Sequence, residues 1–78
     1  MQHDAKIVRM ANQIATFFLS QNEDVRAPSV ANHINKFWEP RMRRQFFEVI
    51  DAGGGELLPL VVEASKLVNR PPEPAKAS

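Results

Sequence analysis

Cysteine and tyrosine are both absent from this 78-residue chain. Without a thiol there is no disulfide to staple a small domain, no thiolate to hold zinc or an iron–sulfur cluster, and no cysteine nucleophile. Glycine is scarce, and its 3 residues stand together at Gly53, Gly54 and Gly55. Glu56 and two leucines follow them, where a phosphate-binding loop would place lysine and a hydroxyl residue. No apolar run approaches the roughly 20 residues that span a bilayer. The start, Met1 to Lys6, lacks the basic-then-apolar layout of a signal peptide. The expectation is therefore a cytoplasmic protein. A net charge of +1 is too small to draw nucleic acid or membrane without specificity.

Catalytic constellations are missing too. Ser20, Ser29, Ser65 and Ser78 have no base at a readable spacing, and there is no His-Glu-x-x-His pair. His3 and His33 fall on separate predicted helices with no third metal ligand nearby. A chain this short also has little room for a substrate pocket of its own. The reading is a protein without catalytic activity of its own. At 44% hydrophobic residues the composition still fits a folded domain, one small enough that a single core gives marginal stability.

What is present is helical periodicity. Ile7, Met10, Ala11, Ile14, Phe17 and Phe18 recur at the spacing of one helix face, with Asp4 as a candidate N-cap, predicting a helix from about 4 to about 20. Val8, Ala15 and Leu19 broaden that stripe, which implies packing on two sides or a side left for a partner. Pro28 suits the first position of a second helix, whose inward residues are Val30, Ala31, Ile34 and Phe37. Asn32, His33, Asn35 and Lys36 read as its solvated polar face. Pro40 opens a third helix to about Ala52, with Met42, Phe46, Phe47, Val49 and Ile50 as its apolar stripe. Gly53–Gly55 ends it. Three glycines exceed what a helix stop requires, which predicts a mobile loop. Pro59 opens a fourth helix to about Asn69, with Leu60, Val61, Ala64, Leu67 and Val68 inward and Leu57 and Leu58 folding back before it. No strand alternation or internal repeat occurs. The expected fold is all-α: a small bundle of about four short helices in one domain over residues 1–69, followed by a disordered, proline-rich tail over 70–78.

The densest chemistry lies at the junction of the second and third helices. Lys36 to Arg44 holds the only tryptophan, a proline and four of the chain's 10 Lys and Arg residues. Residues 45–69 reverse the balance, with Glu48, Asp51, Glu56 and Glu63 against Lys66. Tryptophan and arginine are the residues of binding hot spots, yet an aromatic pair at a helix–helix corner also serves as packing. Phe37, spaced from Val30 and Ile34, points inward; Trp38 is open between core and interface. Arg41, Arg43 and Arg44 follow Pro40 at a helix N-terminus, where the dipole disfavours cations by a few tenths of a kcal/mol each. Glu39 or an anionic partner would offset them. The predicted partner-binding set is Phe37, Trp38, Arg41, Arg43 and Arg44. A DNA-binding helix-turn-helix, or a generic helical adaptor, is the alternative. Against DNA binding stand the Trp-Glu-Pro turn and the acidic residues Glu48 and Asp51 on the following helix.

Three blocks resemble the delta subunit family of NAD-dependent formate dehydrogenases: Met10-Ala11-Asn12-Gln13-Ile14-Ala15, Val30 through Arg43, and Gly53-Gly54-Gly55-Glu56-Leu57-Leu58-Pro59-Leu60-Val61. The resemblance covers about residues 6–68, and its specific part is Phe37-Trp38-Glu39-Pro40-Arg41-Met42-Arg43. Asn32 and Leu58 depart from it, standing where an acidic residue is usual in that family; without an aspartate at 58 the fourth helix would start less well capped. The resemblance implies a non-catalytic accessory subunit that assists assembly, cofactor insertion or stability of the complex. Its partners would be the catalytic alpha subunit, a cofactor-inserting chaperone, or both, with homodimers open to the isolated chain. The parent complex is expected to use a molybdenum or tungsten bis-pterin guanine dinucleotide, iron–sulfur clusters, FMN and NAD, none of them bound by this chain. An extended version has Arg41, Arg43 and Arg44 meeting the pyrophosphate of that cofactor during hand-over.

Overall fold

A computed structural model describes residues 2–71, with side chains from Ala5 onward. It is all-α, with four helices: α1 (Gln2–Phe18), α2 (Glu23–Phe37), α3 (Pro40–Asp51) and α4 (Pro59–Ala64), the last running on as a 3-10 turn, Ser65–Leu67. None of these helices is long and apolar enough to cross a membrane. The predicted tail from residue 72 on lies outside the described residues.

α1 and α2 pack together; α3 lies against α1, and α4 with its 3-10 extension lies against α2. The contacts are close because the facing residues are small: Ala11 and Ala15 on α1, Ala27 and Ala31 on α2, and Ala64 on α4 are all buried. Around them Phe46, Ile34, Val30 and Val61 are the largest fully buried side chains. Complete burial of such a side chain is worth roughly 1.5–3 kcal/mol.

Two helix starts differ from expectation. α1 begins at Gln2, so Asp4 lies within its first turn rather than capping it. α2 begins at Glu23 after an extended Asn22, leaving Pro28 inside the helix. Glu23 and Asp24 suit the positive end of the helix dipole, which favours this earlier start. The Asp24 carbonyl loses its helical donor to the proline ring, but both residues are exposed and water can replace it.

The remaining boundaries follow local chemistry. Pro40 and Pro59 each sit at the first helical position, as predicted. α3 stops in a Schellman arrangement: Gly54 N–H donates to the Val49 carbonyl at 2.9 Å and Gly53 N–H to Ile50 at 3.0 Å. All three glycines hold positive φ, at 109°, 88° and 50°. Positive φ at each position thus accounts for the surplus glycine. α4 is shorter than predicted and tightens at Ser65, whose hydroxyl donates to the Val62 carbonyl at 2.6 Å. Leu57 is buried and Leu58 packs against the core, as the fold-back before α4 required.

Candidate protein-docking site

The α2–α3 corner is built by two extended residues. Trp38 closes α2, its N–H donating to the Ile34 carbonyl at 3.0 Å with ψ at 134°. Glu39 is extended, with ψ at 157°, because the following proline ring excludes the α region. Its carbonyl then accepts the first bond of α3, from Arg43 N–H at 3.0 Å.

This turn reverses the expected roles of the two aromatics. Phe37, predicted inward, is 65% exposed, while Trp38 is 6% exposed. The inward series of α2 is Ala27, Val30, Ala31 and Ile34, and the next position on that face is 38, four residues beyond Ile34. Trp38 takes it and meets the edge of Phe46, ring centroids 5.9 Å apart at 88°. Phe37 falls to the rim, leaning on the His33 ring at 4.8 Å.

The arginines also separate. Arg43 is half-buried and engaged by carbonyls: its Nη1 donates to Asn69 at 2.8 Å and its Nε to Trp38 at 3.4 Å. No anionic partner is required to explain it. Arg41 is exposed and Arg44 half-buried, and neither forms an ion pair or side-chain hydrogen bond among the described residues. On the same helix Glu48 and Asp51 stand near the C-terminus, so α3 is charged against its dipole at both ends. Asp51 is met from outside. Arg70 reaches it with two parallel bonds of 3.0 and 3.1 Å and lies over the Phe47 ring at 4.1 Å. Arg70 and the buried Pro71, assigned by sequence to the tail, are therefore part of the packed structure.

Two residues with structural roles escaped the sequence reading. Asn35, taken as solvated, donates through Nδ2 to the Leu67 carbonyl at 3.1 Å and accepts from Asn69 N–H at 2.7 Å. Asn12 does the same at the other end of α4, donating to Glu56 at 3.0 Å and accepting from Leu58 N–H at 2.9 Å. Each side chain imitates a peptide group and fastens one end of the α4 segment. Leu58 supplies no side-chain cap to α4, as its apolar side chain dictates. The one signal available was local: asparagine is a poor helix-interior residue, and each follows a buried position, Ala11 or Ile34.

Two surface concavities are left by the packing: one of about 820 Å³ between α1 and α3, lined in part by Arg9, Glu48 and Glu56, and an apolar one. A groove of about 460 Å³ runs between α1 and α2, lined chiefly by Met10, Ile14, Phe17, Phe18, His33 and Trp38. Phe17, predicted inward on α1, is 70% exposed at its edge. The α1 stripe is instead centred on Ile7, Ala11 and Ala15. No group of three His, Asp or Glu side chains is placed to hold a metal among the described residues.

Residues 6–65 match the family described as NADH-dependent formate dehydrogenase delta subunit FdsD. The chain belongs to that family. The matched stretch takes in all of α2 and α3, the corner, the glycine stop and α4. Both members of the Asn12–Leu58 clamp lie inside it, whereas Asn69 and Arg70 lie beyond its end. No curated protein and no solved structure matches the chain.

Proposed function

We propose that this formate dehydrogenase delta subunit acts without chemistry of its own, docking on the catalytic alpha subunit, or on its cofactor-inserting chaperone, to support assembly, cofactor insertion or stability. The supporting observation is a pair of exposed phenylalanines on a very small domain: Phe17 in the wall of an apolar groove, and Phe37 against the His33 ring that lines it. Large aromatic rings left in water beside a concave apolar surface are the anchors a partner buries. The predicted docking set narrows accordingly. Phe37 and Arg41 present outward and, with the half-buried Arg44, make the contact; Trp38 and Arg43 shape the corner behind them. Arg41 and Arg44 meet carboxylates of the partner or, during hand-over, the pyrophosphate of its cofactor. The molybdenum or tungsten bis-pterin, FMN and NAD are assigned to the other subunits, and so are the iron–sulfur clusters, which this chain has no cysteine to ligate. Work in the cytoplasm suits this role. Binding also stabilises the small domain by mass action.

Co-expression tests the reading. A tagged chain should co-purify with the catalytic subunit, and the catalytic subunit made without it should carry less metal, less pterin or a lower melting temperature. Identical cofactor content and stability with and without the chain would overturn the role. In the same assay Phe37→Glu is expected to reduce co-purification.

A further inference from the structure

Resting on that docking role, we propose that the α1–α2 groove seats an amphipathic helix of the partner subunit that carries carboxylates beside its apolar ridge. Shape comes first. The groove lies between two packed helices and follows α1 from Met10 to Phe17. Seven residues of helix rise roughly 10 Å. That length accepts two turns of an incoming helix, or apolar side chains at positions i, i+3 or i+4, and i+7. The described residues contain no strand, so there is no sheet edge for an extended peptide to join. A ridge of side chains laid between two helices is the ordinary way a third helix packs.

Charge then selects the partner. Between Ala5 and Asn22 the chain carries Lys6 and Arg9 and no carboxylate; between Val25 and Trp38 it carries Arg26 and Lys36 and again none. The groove itself is lined by no charged side chain, and Arg9 faces the opposite side of α1, beside Glu48 and Glu56. The cations at helical spacing from its lining are Lys6, one turn before Met10, Arg26, two turns before His33, and Lys36. Lys36 is one turn from His33, which lines the groove, and adjoins Phe37. Glu39 adjoins Trp38 but stands at the N-cap of α3, and Glu23 and Asp24 occupy the first turn of α2, where helix dipoles favour them. The remaining acidic side chains described, Glu48, Asp51, Glu56 and Glu63, lie on α3, α4 or the loop between them. A second copy of this chain is a poorer fit. A closed two-fold contact, groove on groove, would set these cations against their own copies. Glutamates or aspartates flanking an apolar ridge complement the site in both respects.

The test uses the full chain and two designed helical peptides with the same leucine spacing, one flanked by glutamates and one by lysines. Fluorescence anisotropy should show the acidic peptide binding, more weakly as salt rises, and the basic peptide failing to bind. Phe17→Glu, Phe37→Glu and Lys36→Glu should each weaken it on the order of tenfold or more. All three positions are exposed, so circular dichroism should show unchanged helicity. Equal binding of both peptides, or wild-type affinity in both phenylalanine variants, overturns the proposal. So does binding to vesicles of phosphatidylserine and phosphatidylcholine with no peptide bound, or dimerisation abolished by the same variants. Co-purification with the catalytic subunit is scored separately. A chain that still co-purifies but ignores the acidic peptide retires the groove and leaves the subunit role standing.

Discussion

Arg43 donates from Nη1 to the carbonyl of Asn69 at 2.8 Å, across 26 residues of chain. The same guanidinium reaches back to the Trp38 carbonyl. One cation thereby ties the α2–α3 corner to the segment that leaves the 3-10 turn. Arg43 belongs to the one stretch dense in basic residues, yet its partners are neutral carbonyls and its role is internal. Arg41, two residues earlier, has no such partner among the described residues and faces solvent.

The two arginines should therefore part in a stability assay. Arg43→Ala is expected to lower the free energy of unfolding by about 1–2 kcal/mol, since two hydrogen bonds from a charged group are lost, one of them to the part-buried Trp38 carbonyl. Arg41→Ala should stay within about 0.5 kcal/mol. Urea titration followed by circular dichroism measures both. Equal effects would mean that Arg43 is no more structural than its neighbour.

The asparagine clamps make a sharper demand, because each must donate and accept at once. Asn35→Ala and Asn12→Ala should each cost about 0.5–1.5 kcal/mol, the net worth of hydrogen bonds whose largely exposed backbone partners then turn to water. Asn35→Asp keeps the acceptor for Asn69 N–H but turns a carboxylate toward the Leu67 carbonyl. It should fail to restore wild-type stability at neutral pH. Hydrogen exchange at Asn69 and Leu58 gives a local reading, with faster exchange expected in the matching alanine variant.

At the corner the aromatics should behave oppositely. Trp38→Ala removes a ring that is 6% exposed and packed on Phe46, and should cost about 3–5 kcal/mol. For a domain this small, that is enough to unfold much of the population. Phe37→Ala should change stability by less than about 1 kcal/mol while weakening partner binding. A Phe37 variant that unfolds, or a Trp38 variant that stays fully folded, would contradict the placement of these rings.

Acid sensitivity should carry a signature of Asp51. The hydrogen bonds from Arg70 hold the Asp51 carboxyl below the usual aspartate range; desolvation opposes them, and the charge of Arg70 adds the smallest part. A carboxyl depressed in the folded state contributes stability above its unfolded pKa and loses it as pH falls through the folded value. Carbon-detected NMR titration should thus find Asp51 ionised to lower pH than an unpaired aspartate. Arg70→Gln should return it toward the ordinary value. The effect on stability is small, because both partners are more than half exposed.

Much of the architecture is legible in the sequence because its cues are local. Proline at the first helical turn, glycine past the last, and apolar residues three and four apart act within a few residues of chain. They place α3, α4 and the glycine stop, and they mark α1 with its stripe slightly rotated. α2 shows where such cues compete: Pro28 permits a helix start, but Glu23 and Asp24 in a first turn favour an earlier one. Asn12, Asn35 and Arg43 were less legible, since each binds a carbonyl at least 26 residues away.

By itself, the sequence determined an all-α chain without thiol chemistry and with an aromatic, arginine-rich corner, and it carried the resemblance to formate dehydrogenase delta subunits. Only the tertiary structure decided which corner residues face inward. Trp38 and Phe37 are adjacent and similar in hydrophobicity, so periodicity near a helix end does not rank them. The packing of Phe46 does, because the ring placed one helical turn beyond Ile34 meets it and the other cannot. Likewise a guanidinium carries the same charge in any fold. Whether it serves the core or a partner depends on the carbonyl that the folded chain sets within reach, here that of Asn69.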